Sequence, residues 1–325
     1  MKAMVYTEYG TPDVLHLTEV AKPTPKANEV LVKVYATSVN AAELHIVAGD
    51  PFLVRLMIGG MQKPKKTIPG ADVAGRVELI GSSVTQFKPG DEVFGDLSEV
   101  GWGAYAEYVA VPENALALKP VNTTFEQAAA LPLAANTALQ GLRDKGHIQP
   151  GQKVLINGAG GGVGMFAVQI AKAFGAEVTA VSSTKKLDMV RSLGADHVID
   201  YKQEDFTKNG QRYDLICDVG AYRSIVDYKR VLTPNGVYIL VGGSMTQIFP
   251  AMLQGPLISM TGSQKFTNLM AKPVQSDLVY MKGLVESGKV VSVIDRCYPL
   301  SETAEALKYL EAGHVKGKIV ITVAQ

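Results

Sequence analysis

The stretch VLINGAGGGVG, Val154 to Gly164, decides the fold. An apolar run, Val154-Leu155-Ile156, enters a glycine-rich turn, and the turn runs into GMFAVQIAKAFG, which has the composition of a helix. A buried parallel strand reads as a nearly continuous apolar run, and this one does. Glycines at such a strand–helix junction let a diphosphate rest on backbone N–H groups at a helix N-terminus, where the dipole favours negative charge. Against the G-x-G-x-x-G pattern the turn matches as Ala159, Gly161, Gly164; with one more residue in the turn it matches as Gly158, Gly161, Gly164.

Strand-like and helix-like segments alternate around this turn. Strands are expected at Lys153–Asn157, Glu177–Ser182, His197–Tyr201, Tyr213–Val219, Gly236–Val241 and Leu257–Gly262, with helices at Val163–Phe174 and Lys185–Leu193. The alternation predicts βαβ units around a doubly wound parallel sheet, hence an α/β chain. An NAD site places Asp or Glu at the end of the second strand, about 20 residues past the turn, to hold the ribose 2′-hydroxyl. Here that end reads Val181-Ser182-Ser183-Thr184-Lys185-Lys186, with no carboxylate before Asp188. Hydroxyls and ammonium groups bind a 2′-phosphate, so NADPH is the expected cofactor.

The first 120 residues read differently. Val30–Tyr35, Asp72–Ile80 (broken by Gly75), Glu92–Gly95 and Tyr105–Val111 are short β-like runs separated by turn signals, which predicts a compact, mostly β unit. Between the two regions Phe125–Leu142 is alanine-rich and helical in composition, interrupted by Pro132. The last 60 residues give helices at Ser276–Ser287 and Ser301–Ala312 and strands at Val293–Tyr298 and Lys318–Val323, with Ser301 as N-cap and Gly313 as C-terminal stop. Pro51–Lys66 reads as a surface loop.

Composition narrows the function classes. The 325 residues carry 32 basic and 31 acidic side chains, so no basic excess speaks for a nucleic-acid partner. No run of about 18 apolar residues predicts a membrane span, and the N-terminus lacks a secretory apolar core. Cys217 and Cys297 each sit in apolar, β-like runs and are expected as reduced core thiols. Two isolated cysteines and five scattered histidines make neither a structural nor a catalytic zinc site. Nucleophile-elbow and Walker motifs are absent as well, which leaves cofactor-driven hydride transfer to a small molecule.

Nearly the whole chain resembles the medium-chain dehydrogenase/reductase superfamily, in its zinc-independent quinone oxidoreductase branch. The markers occur in order: Pro69 to Gly75 with Val77, Lys88 to Val93, Gly103 to Tyr108, Ala129 to Pro132 with Thr137-Ala138, the glycine turn, Leu193 to Asp196, and Gly317-Lys318. The resemblance implies a Rossmann doubly wound parallel sheet inserted into a GroES-like, mostly β catalytic domain. Expected boundaries are 1–122 and 265–325 for the GroES-like domain and 123–264 for the Rossmann domain. Zinc-dependent members carry histidine where this chain has Ala71 and cysteine near Asn40.

The resemblance also implies residue roles. Ser182, Lys186 and Tyr201 match the residues that hold the 2′-phosphate region, Thr137 a nicotinamide contact, and Asn40 an asparagine near the reacting centre. The expected cofactor set is Asn40, Thr137, Gly158, Gly160, Gly161, Gly162, Val163, Gly164, Ser182, Ser183, Lys186, Tyr201, Val219, Val241 and Lys318. The expected catalytic set is Asn40, His45 and Tyr105. His45 stands where the family often has tyrosine; an imidazole could protonate an enolate. Tyr105, with Trp102, is expected to wall a flat substrate. The implied activity is reduction of a quinone or an α,β-unsaturated carbonyl. The alternatives are a zinc-free alcohol or aldehyde reductase and an NADPH-binding protein without turnover. A cytoplasmic homodimer, pairing through Leu257–Gly262, is the expected assembly.

Overall fold

A computed structural model describes residues 1–57, 60–65, 67–243, 259 and 262–323. The chain forms two compact units. One combines Met1–Asn136 with Pro273–Gln325, and the other is Thr137–Lys272.

The contiguous unit holds a six-stranded sheet in which every neighbouring pair is parallel. In spatial order its strands are His197–Asp200, Glu177–Ser182, Lys153–Asn157, Tyr213–Asp218, Leu232–Leu240 and Lys265–Asn268. In sequence order this is 3-2-1-4-5-6, the arrangement of a doubly wound dinucleotide fold, with the order reversing between Lys153–Asn157 and Tyr213–Asp218. Helices Gly162–Ala173 and Leu187–Ser192 follow the first two strands in sequence. The alternation of strand and helix signals in the sequence therefore gives the sheet.

Several particulars differ from expectation. Leu257–Gly262 lies almost wholly outside the described residues, and the sixth strand is Lys265–Asn268. No strand was expected there, and the Rossmann domain was expected to end at 264, yet Lys265–Asn268 pairs with Leu232–Leu240 inside that unit. Lys185 and Lys186 are not the first turn of a helix; they belong to a 3-10 turn, Thr184–Lys186, that precedes it. The alanine-rich segment is broken into Phe125–Ala129, Pro132–Leu139 and a wider turn at Gln140–Lys145, because Pro132 cannot donate to a continuing helix.

The composite unit is built on one long strand, Glu29–Val39. It pairs antiparallel with Asp72–Ile80, with Tyr108–Pro112 and with Lys318–Thr322. The last of these pairings knits the end of the chain to its beginning. Strand Ile294–Pro299 extends the sheet beside Lys318–Thr322. Two apolar clusters fill the unit, one around Val30, Val32, Val73, Val93 and Leu116, the other around Tyr6, Val47, Tyr105, Leu307 and Ile319. Ser301 is not a helix N-cap: Leu300–Glu302 is a 3-10 turn, and the helix Thr303–Glu311 starts from Glu302. Gly313 does end that region, with a positive φ of 75°. Cys217 is buried as expected, but Cys297 is exposed, because its strand presents that residue to solvent.

Gly75 shows how tight the composite sheet is. A Cβ there would lie 2.1 Å from the Lys33 carbonyl oxygen across the sheet. Overpacking of this kind costs about 1–3 kcal/mol. Gly75→Ala is expected to lower the urea midpoint accordingly; an unchanged midpoint would show that the strands separate freely.

Candidate functional site

Two constellations carry chemistry, one in each unit. The first lies along the carboxyl ends of the parallel strands. Strand Lys153–Asn157 leads into Gly158, whose φ of +82° suits glycine, and the helix begins at Gly162 with Gly161 as N-cap. The turn is fastened from below, since Gly158 N and Ala159 N both donate to Val181 O and Gly161 N donates to Gly158 O. The N–H groups of Gly162, Val163 and Gly164 stand in the first helical turn, where no preceding helical carbonyl can take them. Gly161, Gly162 and Val163 are partly exposed.

The glycines divide into two kinds. At Gly164 a Cβ would sit 2.1 Å from Gly158 O, and at Gly160 it would sit 2.5 Å from Ser182 Oγ and 2.6 Å from Lys186 Cδ. Backbone demands glycine at 164, whereas at 160 a side chain would have to displace those of Ser182 and Lys186. At Gly161 the nearest atom to a Cβ is 3.5 Å away, and the backbone is ordinary extended chain. Nothing in the protein's own packing requires glycine there.

The contact at Gly160 also shows that Ser182 and Lys186 lie against the turn, as the spacing suggested. Ser182 is buried, and Ser183 opens the 3-10 turn. Tyr201 follows the third strand, donates its N–H to Ser182 O and packs its ring 5.7 Å from Tyr222. One acid does stand here, which the linear scan from the glycine turn passed over. Asp200 pairs in register with Ser182, and its carboxylate accepts from Thr184 Oγ1 at 2.5 Å, Lys202 N at 3.0 Å and Gln203 Nε2 at 3.1 Å. The Thr184 hydroxyl, followed by the other donors, holds its carboxyl below the usual value. Its lone pairs are thus engaged within the turn. Val219 and Val241 close the fourth and fifth strands: Val219 N donates to Asn157 O and Val241 N to Asp218 O. Thr137 is half-buried in helix Pro132–Leu139.

The second constellation lies in the composite unit. Register places Val39 opposite Ile319 and Asp72 opposite Asp96, which brings Lys318 beside Asn40. The Lys318 ammonium is 3% exposed. It donates to Asn40 Oδ1, to Val39 O at 3.3 Å and to Asp72 Oδ2 at 3.4 Å. Asn40 Nδ2 in turn donates to Asp72 Oδ2 at 2.9 Å and to Glu43 Oε1 at 3.4 Å. Glu43 accepts Asn40 N at 2.9 Å and Ala71 N at 3.0 Å, while Asp72 also takes Ser38 Oγ and, at 2.8 Å, Leu133 N. Of the three buried carboxylates here (Glu43, Asp72 and Asp96), Asp72 alone pairs directly with the buried ammonium, and the other two feel its charge at longer range. Burial, and then the charge of Asp72, pushes Glu43 up to about 7 and Asp96 up to about 7.

This network relocates three expected residues. Asn40 has both amide hydrogens and its oxygen engaged inside the protein, so it acts as a hub of the network. Lys318 is tied to the same oxygens. Tyr105 is fully buried, with its hydroxyl 3.4 Å from Ser38 O, and presents no face to a substrate. The expected substrate wall fails at this residue because Gly70 lies against the Tyr105 ring and leaves it no outward side. His45 is exposed near the end of helix Ala41–Ala48, with Nδ1 3.0 Å from Asp50 O. A carbonyl accepts only, so Nδ1 carries the proton and Nε2 is the outward nitrogen. Glu43 and Asp96 were missed because no spacing rule links positions 43, 72 and 96; only sheet register does.

The chain is similar to known proteins over nearly its whole length. A family profile described as alcohol dehydrogenase GroES-like domain matches residues 26–121, and one described as zinc-binding dehydrogenase matches residues 193–321. The 2-methylene-furan-3-one reductase of Solanum lycopersicum is 38% identical over 333 residues, covering 99% of this chain and 79% of that protein. The chloroplastic NADPH-dependent alkenal/one oxidoreductase of Arabidopsis thaliana is 37% identical with the same coverage. Among solved structures, the quinone oxidoreductase of Coxiella burnetii superposes with a TM-score of 0.87 at 30% identity, covering 100% of this chain and 99% of that one.

The second family description implies zinc, and the donor set does not fit it. Asn40 and Ala71 offer neither thiolate nor imidazole, and the oxygens of Asn40 and Asp72 already accept from an ammonium, which would repel a metal ion. No group of three metal-ligating side chains occurs among the described residues. The turn at Gly158–Gly164, by contrast, has the first-turn amides of Gly162, Val163 and Gly164 that a dinucleotide's diphosphate takes.

The raised Glu43 carboxyl has a measurable consequence. Its folded value near 7 exceeds its ordinary 4.5, so the folded chain holds a proton that the unfolded chain releases. Stability from this group is full below pH 4.5 and is lost as pH rises through 7. Glu43→Gln keeps the shape without the ionisation. Relative to the wild type it should gain about 1–3 kcal/mol between pH 5 and pH 9 in urea melts; parallel pH profiles would remove Glu43 from the account.

Proposed function

The chain belongs to the medium-chain dehydrogenase/reductase superfamily, in its quinone oxidoreductase branch, and from that premise we propose that it is a zinc-free, NADPH-dependent reductase of quinones or α,β-unsaturated carbonyl compounds. The observation that carries the cofactor reading is the unforced glycine at 161, beside a turn that offers Ser182, Ser183 and Lys186 in place of a carboxylate facing the ribose. The relatives named above support the substrate class, since one is a furanone reductase and another an alkenal/one oxidoreductase.

In this reading the amides of Gly162, Val163 and Gly164 hold the diphosphate, and Ser182 with Lys186 holds the 2′-phosphate. Asp200 stays an anion beside that phosphate, with Thr184, the Lys202 N–H and Gln203 engaging its lone pairs within the turn. Thr137 and Tyr201 complete the expected contacts. When bound, the reduced nicotinamide supplies the hydride. The chain must then steady negative charge on the substrate oxygen and deliver a proton. Asn40 has no free amide hydrogen for that task, so its part is to hold Lys318 and Asp72 in place. His45, exposed and with Nε2 facing outward, is the candidate proton donor in its charged form.

The assembly reading is a cytoplasmic homodimer acting on small molecules. No helix among the described residues is long and apolar enough to cross a membrane.

Two measurements test the proposal. Absorbance of reduced nicotinamide, followed with quinones, enones and saturated aldehydes, should show NADPH oxidation by the first two and at least tenfold preference over NADH. Turnover of aldehydes alone would make the chain a carbonyl reductase, and binding without any turnover would make it a binder. Gly161→Val should keep the wild-type melting temperature yet lose at least tenfold in NADPH affinity; equal affinity would end the cradle assignment. Separately, His45→Ala should lower kcat with an enone about tenfold or more, and an unchanged kcat would take His45 out of the mechanism.

A further inference from the structure

Beneath the glycine turn sits a group that the cofactor contacts do not use. Asp218 ends the strand Tyr213–Asp218, next to the point where the strand order reverses. It is 0% exposed, and its register partners are Asn157 on one side and Leu240 on the other. Asn157 Nδ2 donates to Asp218 Oδ1 at 2.7 Å, and Tyr238 OH donates to Oδ2 at 2.7 Å. The Tyr228 hydroxyl reaches the same carboxylate. The Asn157 amide also reaches Gly220 O at 3.2 Å and Tyr228 Oη at 3.2 Å. The backbone oxygen of Asp218 accepts from Val241 N and Gly242 N.

One residue thus gathers three strand ends. Asn157 directly precedes Gly158, and a Cβ on Gly158 would lie 3.0 Å from Gly220 N, so the two turns touch at this junction. A fully buried carboxylate is expensive to keep, and this one makes no ion pair among the described residues. An apolar or amide side chain would fill the space more cheaply. Neither could accept from donors on three separate elements at once, since an amide brings its own hydrogens into the cluster.

We propose that Asp218 is the positioning residue of the dinucleotide turn: its carboxylate fixes Asn157 against Gly220 and so sets the shape of the cradle at Gly158–Gly164 and its affinity for the cofactor diphosphate. The inference rests on the reading of that cradle as the NADPH site. The titratable groups facing Asp218 are Tyr228 from helix Ile225–Val231, Tyr238 from the neighbouring strand, Tyr222 from the following turn and Cys217 beside it. Burial outweighs the hydrogen bonds from Tyr228, Tyr238 and Asn157 and pushes Asp218 up to about 6. The anion that organises the turn is therefore present above pH 6 and lost below it.

The test is calorimetric titration of NADP⁺ into wild type and Asp218→Asn at pH 7.5 and pH 5.0. At pH 7.5 the variant should bind at least tenfold more weakly, with the change in KM rather than kcat. At pH 5.0 the ratio of the two Kd values should fall toward one, because both proteins then carry a neutral side chain; the cofactor's own titration cancels in the ratio. Equal Kd values at pH 7.5, or a penalty that does not change with pH, overturn the proposal. Should Asp218→Asn fail to fold, Tyr238→Phe removes one donor and leaves the carboxylate. It should raise Kd about threefold, and no change would equally overturn the proposal. A wild type that binds no NADP⁺ sinks the cofactor reading itself, whereas wild-type binding with an indifferent variant sinks Asp218 alone.

Discussion

The structure turns on how closely two pieces of backbone can approach at the start of helix Gly162–Ala173. Gly164 sits over Gly158 with no room for a Cβ, and the side chains of Ser182 and Lys186 lie against Gly160. That contact fixes the angle at which the helix leaves the strand. The angle aims the helix N-terminus and its unpaired amides at the ends of the parallel strands. Ser182, Asp218 and Val241 all take their places from the same sheet. A larger residue at 160 or 164 would move the parts of the candidate site that belong to this unit.

Much of this was legible in the sequence. The strands Lys153–Asn157 and Glu177–Ser182 were read without error, because buried parallel strands carry apolar runs and are flanked by turn residues. The glycine turn and the Ser182–Lys186 segment are local patterns, and local patterns can be read in one dimension. Three features could not be read this way. Lys265–Asn268 is short and polar at its ends, so its membership in the sheet comes from pairing rather than periodicity. The network of Asn40, Glu43, Asp72, Asp96 and Lys318 gathers residues from four segments, and only strand register reveals it. Tyr105 carries an aromatic ring in a glycine-rich turn, a pattern shared by binding surfaces and by cores; its burial is decided by Gly70 and by helix Thr303–Glu311, neither of which neighbours it in sequence.

The two buried polar networks solve different problems. In the contiguous unit one carboxylate, Asp218, is satisfied by neutral donors and ties together the ends of adjoining strands. In the composite unit one ammonium lies among several acids, and the charges balance only when some of those acids hold protons. Both arrangements keep ionisable groups away from water at an energetic cost. Each lies beside a segment to which sequence and family resemblance assign chemistry, which is where such costs are usually retained.

The pairing of Lys318–Thr322 with Glu29–Val39 bears on how the chain is made. A ribosome releases the acidic partners early and the ammonium only after the whole contiguous unit. Until the final strand emerges, Asp72 lacks the ammonium that pairs with it, although the apolar cluster around Val30, Val73 and Leu116 is already complete in the early segments. The contiguous unit carries no such debt to the C-terminus, and its whole sheet leaves the exit tunnel before the last strand is translated. The order of synthesis thus leaves one buried acid without its ion-pair partner until after the nucleotide-type unit has been made, a delay written into the position of a single lysine.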